Sequence, residues 1–101
     1  MKGTILGLTH EEKGLIKSSI DLIVINLKKG ARGQYSLALN KLKEKDIYVD
    51  GLIMRCFENA LCYAAKFNEN SKELYTLAEY IKRQRENFQL QAMSRLGLAA
   101  I

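Results

Sequence analysis

Apart from its carboxylates, the chain has few residues suited to nucleophilic, acid–base or metal chemistry near neutral pH: one histidine, His10, and two cysteines, Cys56 and Cys62. His10 follows Thr9 and precedes Glu11 and Glu12. That string reads as the first turn of a helix, where an imidazole faces solvent rather than a substrate. No serine, histidine and aspartate set is recognisable by local motif, and the chain contains no HExxH, no phosphate-binding loop of the GxxxxGK[ST] kind and no GxGxxG. On one helix, the six-residue step from Cys56 to Cys62 spans about 9 Å, too far for a disulfide. The two thiols and His10 also lack the close pairing of structural zinc ligands. Both cysteines read as small core-lining side chains, and Glu11–Glu12 and Glu69–Asn70 as capping groups rather than a carboxylate site. The expectation is a protein that is not an enzyme, with no catalytic residue, no metal and no cofactor.

Binding chemistry is better represented. The net charge is +5 and the pI near 9.3, and the excess is concentrated. Between Lys13 and Lys45 stand Lys13, Lys17, Lys28, Lys29, Arg32, Lys41, Lys43 and Lys45 against only Asp21 and Glu44. Such a field favours anionic partners. Lys28, Lys29 and Arg32 surround Gly30–Gly33, where free backbone N–H groups at a helix start could hold a phosphate or carboxylate. Lys41, Lys43 and Lys45 are candidate phosphate contacts for nucleic acid, supplying affinity without sequence readout. A solvated lysine-rich helix surface accounts for the same residues.

A second set lies near the end of the chain. Tyr80, Arg83, Arg85, Phe88, Met93 and Leu96 interleave arginines with aromatic and large apolar side chains, and Leu98 and Ile101 continue the apolar character. Arginine and aromatic residues are the usual anchors of protein interfaces, and they also suit stacking on single-stranded nucleic acid. Lys82 and Glu86, four residues apart, fit an ordinary solvated helix face.

These residues need elements to position them. A chain of 101 residues, 48% apolar and 27% charged, fits one globular domain. The absence of proline favours long unbroken helices over sheets. Thr9 to Glu12 reads as a capping box opening helix one, whose stripe of Leu15/Ile16, Ile20, Ile23/Val24 and Leu27 runs to Lys28–Lys29, with Gly30 as its stop. Helix two is expected over 34–45, with Tyr35, Ala38, Leu39 and Leu42 on one face. Ile47–Tyr48–Val49 reads as an extended connector or a short strand. Asp50 is a good N-cap for helix three, expected over 51–67. That helix is apolar around most of its circumference and belongs at the centre.

Helix four is expected from Ser71 to Leu96, capped by Asn70 with Glu73 at N3. Its stripe of Leu74, Leu77/Ala78 and Ile81 is interrupted at Gln84 and Arg85 and resumes at Phe88, Ala92 and Leu96. A helix of this length measures about 39 Å, more than the roughly 34 Å diameter of a compact body this size, so its far end should protrude.

The sequence therefore predicts an all-α fold, a small three- to four-helix bundle with a long C-terminal helix, as a single domain over 1–101 with loose ends at 1–8 and 97–101. Apolar runs such as Leu22–Ile25 are far too short to span a membrane. Unpaired cysteines suit a reducing, cytoplasmic setting. The expected function is a small non-catalytic protein–protein interaction module: an adaptor, regulator or inhibitor of a larger protein. It is expected to form a homodimer through its C-terminal helix, with Tyr80, Arg83, Arg85, Phe88, Met93, Leu96, Leu98 and Ile101 as contacts. The alternative is a nucleic-acid-binding regulator acting through residues 28–45.

Overall fold

The computed structural model describes residues 4–27, 32–44, 47–69 and 71–95. In chain order the elements are β1 (Thr4–Leu6), α1 (His10–Ile25), α2 (Arg32–Lys41), β2 (Ile47–Val49), α3 (Gly51–Ala65) and α4 (Ser71–Arg95). The fold is the expected helical bundle, with one small addition: β1 and β2 pair as a two-stranded antiparallel sheet in the register Thr4↔Val49, Ile5↔Tyr48, Leu6↔Ile47. Residues 4–6, expected to be loose, are therefore tied down.

Local chemistry explains the helix starts. The Thr9 hydroxyl accepts from the Glu12 N–H at 3.1 Å, and the Glu12 carboxylate accepts from the Thr9 N–H at 2.8 Å, closing the capping box. Asp50 is extended, and its Oδ1 accepts from the Ile53 N–H at 2.9 Å to open α3. The cap expected at Asn70 lies outside the described residues.

Two helix ends differ from expectation. α1 stops at Ile25 rather than near Lys29, because the chain tightens into i→i−3 bonds there: Asn26 donates to Ile23 and Leu27 to Val24. The Asn26 side-chain amide then donates to the Leu22 carbonyl, and Arg32 Nε to the Leu27 carbonyl. Carbonyls that the next turn would have used are thus satisfied from elsewhere. Gly30, the expected stop, lies outside the described residues. α2 spans 32–41 rather than 34–45 and ends the same way, with Leu42, Lys43 and Glu44 donating three residues back. Lys13 Nζ reaches across from α1 to the Glu44 carbonyl at 3.3 Å.

α3 is the central element. It packs against α1, α2 and α4, and it buries Ile53, Met54, Phe57, Ala60, Leu61 and Ala64. Ile16, Ile20, Tyr35, Ala38, Leu74 and Ile81 close around it, and Leu6, Ile47 and Val49 cover one edge. The strands alternate as a half-buried sheet should, with Ile5 and Tyr48 paired on the outer face. No helix among the described residues is long and apolar enough to cross a membrane.

Candidate interaction surface

α4 is the longest element, and its geometry relative to α3 defines the surface. The two helices pack along Leu74, Leu77, Ala78 and Ile81. Gln84 and Arg85 interrupt that apolar stripe, and α3 answers the interruption. Arg85 Nε donates to Glu58 Oε2 at 2.6 Å and its Nη2 to Glu58 Oε1 at 3.2 Å. Each side chain is only 12% exposed, and Arg85 Nη1 also donates to Gln89. The hydrogen bonds to Glu58 raise the Arg85 guanidinium above its already high ordinary value. Phe88 then resumes the stripe, half-buried against the core.

Beyond this point α3 has run out. A Cβ on Gly51, the first residue of α3, would lie 3.8 Å from the Gln89 side-chain nitrogen. The two positions are level, and α4 continues for Leu90–Arg95, about 9 Å of helix past the start of α3. Leu90, the first of these, is 56% exposed.

The residues expected to contact a partner therefore separate. Arg85 faces inward to Glu58, because it stands on the buried stripe of α4. Phe88 contributes mainly to the core. Tyr80 is half-buried, and its hydroxyl donates to the Gly7 carbonyl at 3.3 Å, tying the loop after β1 to α4. Arg83 is exposed and pairs with Glu79 one turn earlier at 3.6 Å. The backbone at Met93 is helical, but its side chain lies outside what is described, as do Leu96, Leu98 and Ile101. Leu90 was missed in the sequence because it sits off the 81–88–92 stripe, on the same exposed face of α4 as Arg83 and Asn87.

The basic segment is less organised. Lys28, Lys29 and Lys45 lie outside the described residues. Arg32 is exposed and bonded to Leu27. Lys41 pairs with Glu44 at 3.5 Å, and Lys43 is exposed. Both cysteines are free thiols, Cys56 buried and Cys62 half-buried. Burial pushes each thiol above its ordinary value, reinforced by Asp50 near Cys56 and by Glu58 near Cys62, with Lys66 and Lys82 opposing at Cys62. Among the described residues no group of three His, Cys, Asp or Glu side chains is placed to hold a metal ion.

The tertiary structure also assembles a groove that was not apparent from the sequence. The start of α1 and the first half of α4 diverge to leave about 610 Å³ between them. Its rim carries Glu11, Glu12, Glu69 and Glu73 against one cation, Lys72, and its floor is Leu15, Leu77 and the side of Tyr80. Glu11, Glu69 and Glu73 form no ion pair among the described residues. Each carboxylate reads as a local helix-start residue when taken alone; only the packing of α1 and α4 on α3 collects them. Comparison of the chain with protein-family models, with curated proteins and with solved structures finds no match.

Proposed function

We propose that this chain is a small non-catalytic interaction module, an adaptor, regulator or inhibitor of a larger protein, and that its contact element is the end of α4. The observation that carries the reading is the mismatch between α4 and α3. The Arg85–Glu58 pair and Phe88 complete the contact with α3, yet α4 runs on to Arg95, and Leu90 stands on its solvent face. A helix that outlasts its packing partner and keeps large apolar residues presents surface suited to another protein. Arg83 beside it offers a charged flank of the kind that interfaces favour. The same helix end supports self-association.

The test compares the full chain, its Leu90→Glu variant and a chain ended after Gln89. Each is used to capture partners from its native cell, with and without nuclease, and weighed in solution. Loss of a nuclease-resistant protein partner in both altered chains is the expected result. Capture and mass unchanged in both would overturn the reading. Recovery of nucleic acid that depends on Lys41 and Lys43 would replace it with the anionic-polymer alternative.

A further inference from the structure

We infer that the open face of α3 binds single-stranded nucleic acid, with Phe67 as the stacking surface and Arg55, Lys66 and Lys82 as the phosphate contacts. This is a further activity, on a face other than the end of α4, and it does not depend on the reading of that end as a contact element.

α3 is central, yet one side of it is uncovered. α1, α2 and α4 pack on its apolar faces. Arg55, Asn59, Tyr63 and Lys66 follow one another at intervals of three and four residues, so they share the remaining face. Arg55, Asn59 and Lys66 are exposed there. Lys82 joins them from α4: it and Lys66 both act on the half-buried Cys62 thiol, so the two ammonium groups stand on one surface. None of Arg55, Lys66 and Lys82 forms an ion pair among the described residues. Nearby carboxylates are engaged or turned away. Glu58, the one acid between positions 51 and 67, is held by Arg85, and Glu69 lines the groove between α1 and α4. Glu86, one turn beyond Lys82, leaves the surface net positive, which suits an anionic partner.

An aromatic pair narrows that partner to a polynucleotide. Phe67 is 69% exposed, and it is held in place. Its N–H donates to the Ala64 carbonyl at 3.1 Å, and its ring lies 5.2 Å from the ring of half-buried Tyr63, tilted by 58°. A fixed, exposed phenyl ring directly after Lys66 can stack on a base while the ammonium takes a neighbouring phosphate. The ring has no polar group to offer an acidic peptide, whereas every base has a face that stacks. Shape selects a single strand over a duplex. α3 is flanked by its packing neighbours and does not project, as a helix must to enter the major groove. From Arg55 to Phe67 the surface runs about 18 Å along α3, room for a few unstacked nucleotides.

The experiment is fluorescence anisotropy of the full chain with a labelled oligouridylate, a labelled oligodeoxythymidylate and a labelled DNA duplex, over a range of salt concentrations. At least one single strand is expected to bind more tightly than the duplex, with a log–log salt slope of about −2 for three phosphate contacts. Lys66→Ala is expected to weaken binding and to reduce that slope by about 0.7. Phe67→Ala is expected to weaken binding about fivefold or more with the slope unchanged, because it removes stacking and no charge. Both residues are exposed, and unchanged helical circular dichroism in each variant confirms that the fold is kept. Lys41→Ala/Lys43→Ala should cost less than Lys66→Ala alone, and Leu90→Glu should leave binding unchanged, which separates this face from the basic segment and from the end of α4. Absence of binding at low salt overturns the inference. So does a duplex bound as tightly as the single strands, indifference to Phe67→Ala or to Lys66→Ala, or a larger loss from Lys41→Ala/Lys43→Ala.

Discussion

Arg85 and Glu58, twenty-seven residues apart, form a two-point clamp between α4 and α3 in which both carboxylate oxygens accept from one guanidinium. The clamp stands where the apolar stripe of α4 fails, so a charged pair fills a position that packing would otherwise assign to a leucine. At 12% exposure each charge is largely removed from water, and the pair is tolerated because its geometry satisfies both partners.

Removing one partner should therefore cost more than removing both. Arg85→Ala and Glu58→Ala are each expected to lose about 2–4 kcal/mol by leaving a charge unpaired. Arg85→Met combined with Glu58→Leu should recover most of that loss. Urea unfolding of the four chains checks it; a double replacement that costs the sum of the two single ones would show that the two charges act independently.

The start of α1 depends on side-chain hydroxyl and carboxylate acceptors that water would replace imperfectly. Thr9→Ala removes the acceptor for the Glu12 N–H and should cost about 1 kcal/mol, or roughly 4–8 °C in Tm. Thr9→Ser should be nearly neutral. Asp50→Ala should behave like Thr9→Ala at the start of α3, where Asp50 holds the Ile53 N–H.

The strand pair makes a sharper contrast between neighbours. Leu6 is 3% exposed and Ile5 60% exposed, because successive strand residues face opposite ways. Leu6→Ala is expected to cost about 2–4 kcal/mol, and Ile5→Thr to change stability by no more than about 0.5 kcal/mol. Thermal unfolding of the two variants measures this; comparable losses would mean the strand does not hold the core edge.

Alkaline pH should loosen the molecule before it affects the helix caps. Burial raises the Cys56 and Cys62 thiols above their ordinary 9.0, and it raises the Tyr35 phenol above 10.0 despite a hydrogen bond from Asn59 that acts against it. A group raised in the folded state binds its proton more tightly there than in the unfolded chain. Its contribution to stability is complete below the ordinary value and is lost as pH climbs through the raised one. Unfolding free energy should thus be insensitive to these groups below pH 9 and decline above it, with Cys56→Ala reducing the decline. Native thiols should also alkylate more slowly at pH 8 than in the denatured chain; equal rates would place both thiols in solvent.

The residues that act over three or four positions were readable without coordinates. The capping box at Thr9, the Asp50 cap, the 3.6-residue stripes of α1, α3 and α4 and the central place of α3 all depend on neighbours along the chain, so composition and spacing determine them. What depends on distant residues was not readable. The strand Thr4–Leu6 is too short to show a period, and it exists because Ile47–Val49 lies beside it. The inward turn of Arg85 depends on Glu58. The ends of α1 and α2 shift because Asn26, Arg32 and Lys13 supply donors that helix periodicity does not reveal. The acid-rimmed groove exists only because α1 and α4 both pack on α3, which brings together carboxylates some sixty residues apart in sequence. Local backbone energetics choose the helices; the pairing of buried charges and the gathering of the acid rim follow from how the helices pack, and that is decided only when the chain closes on itself.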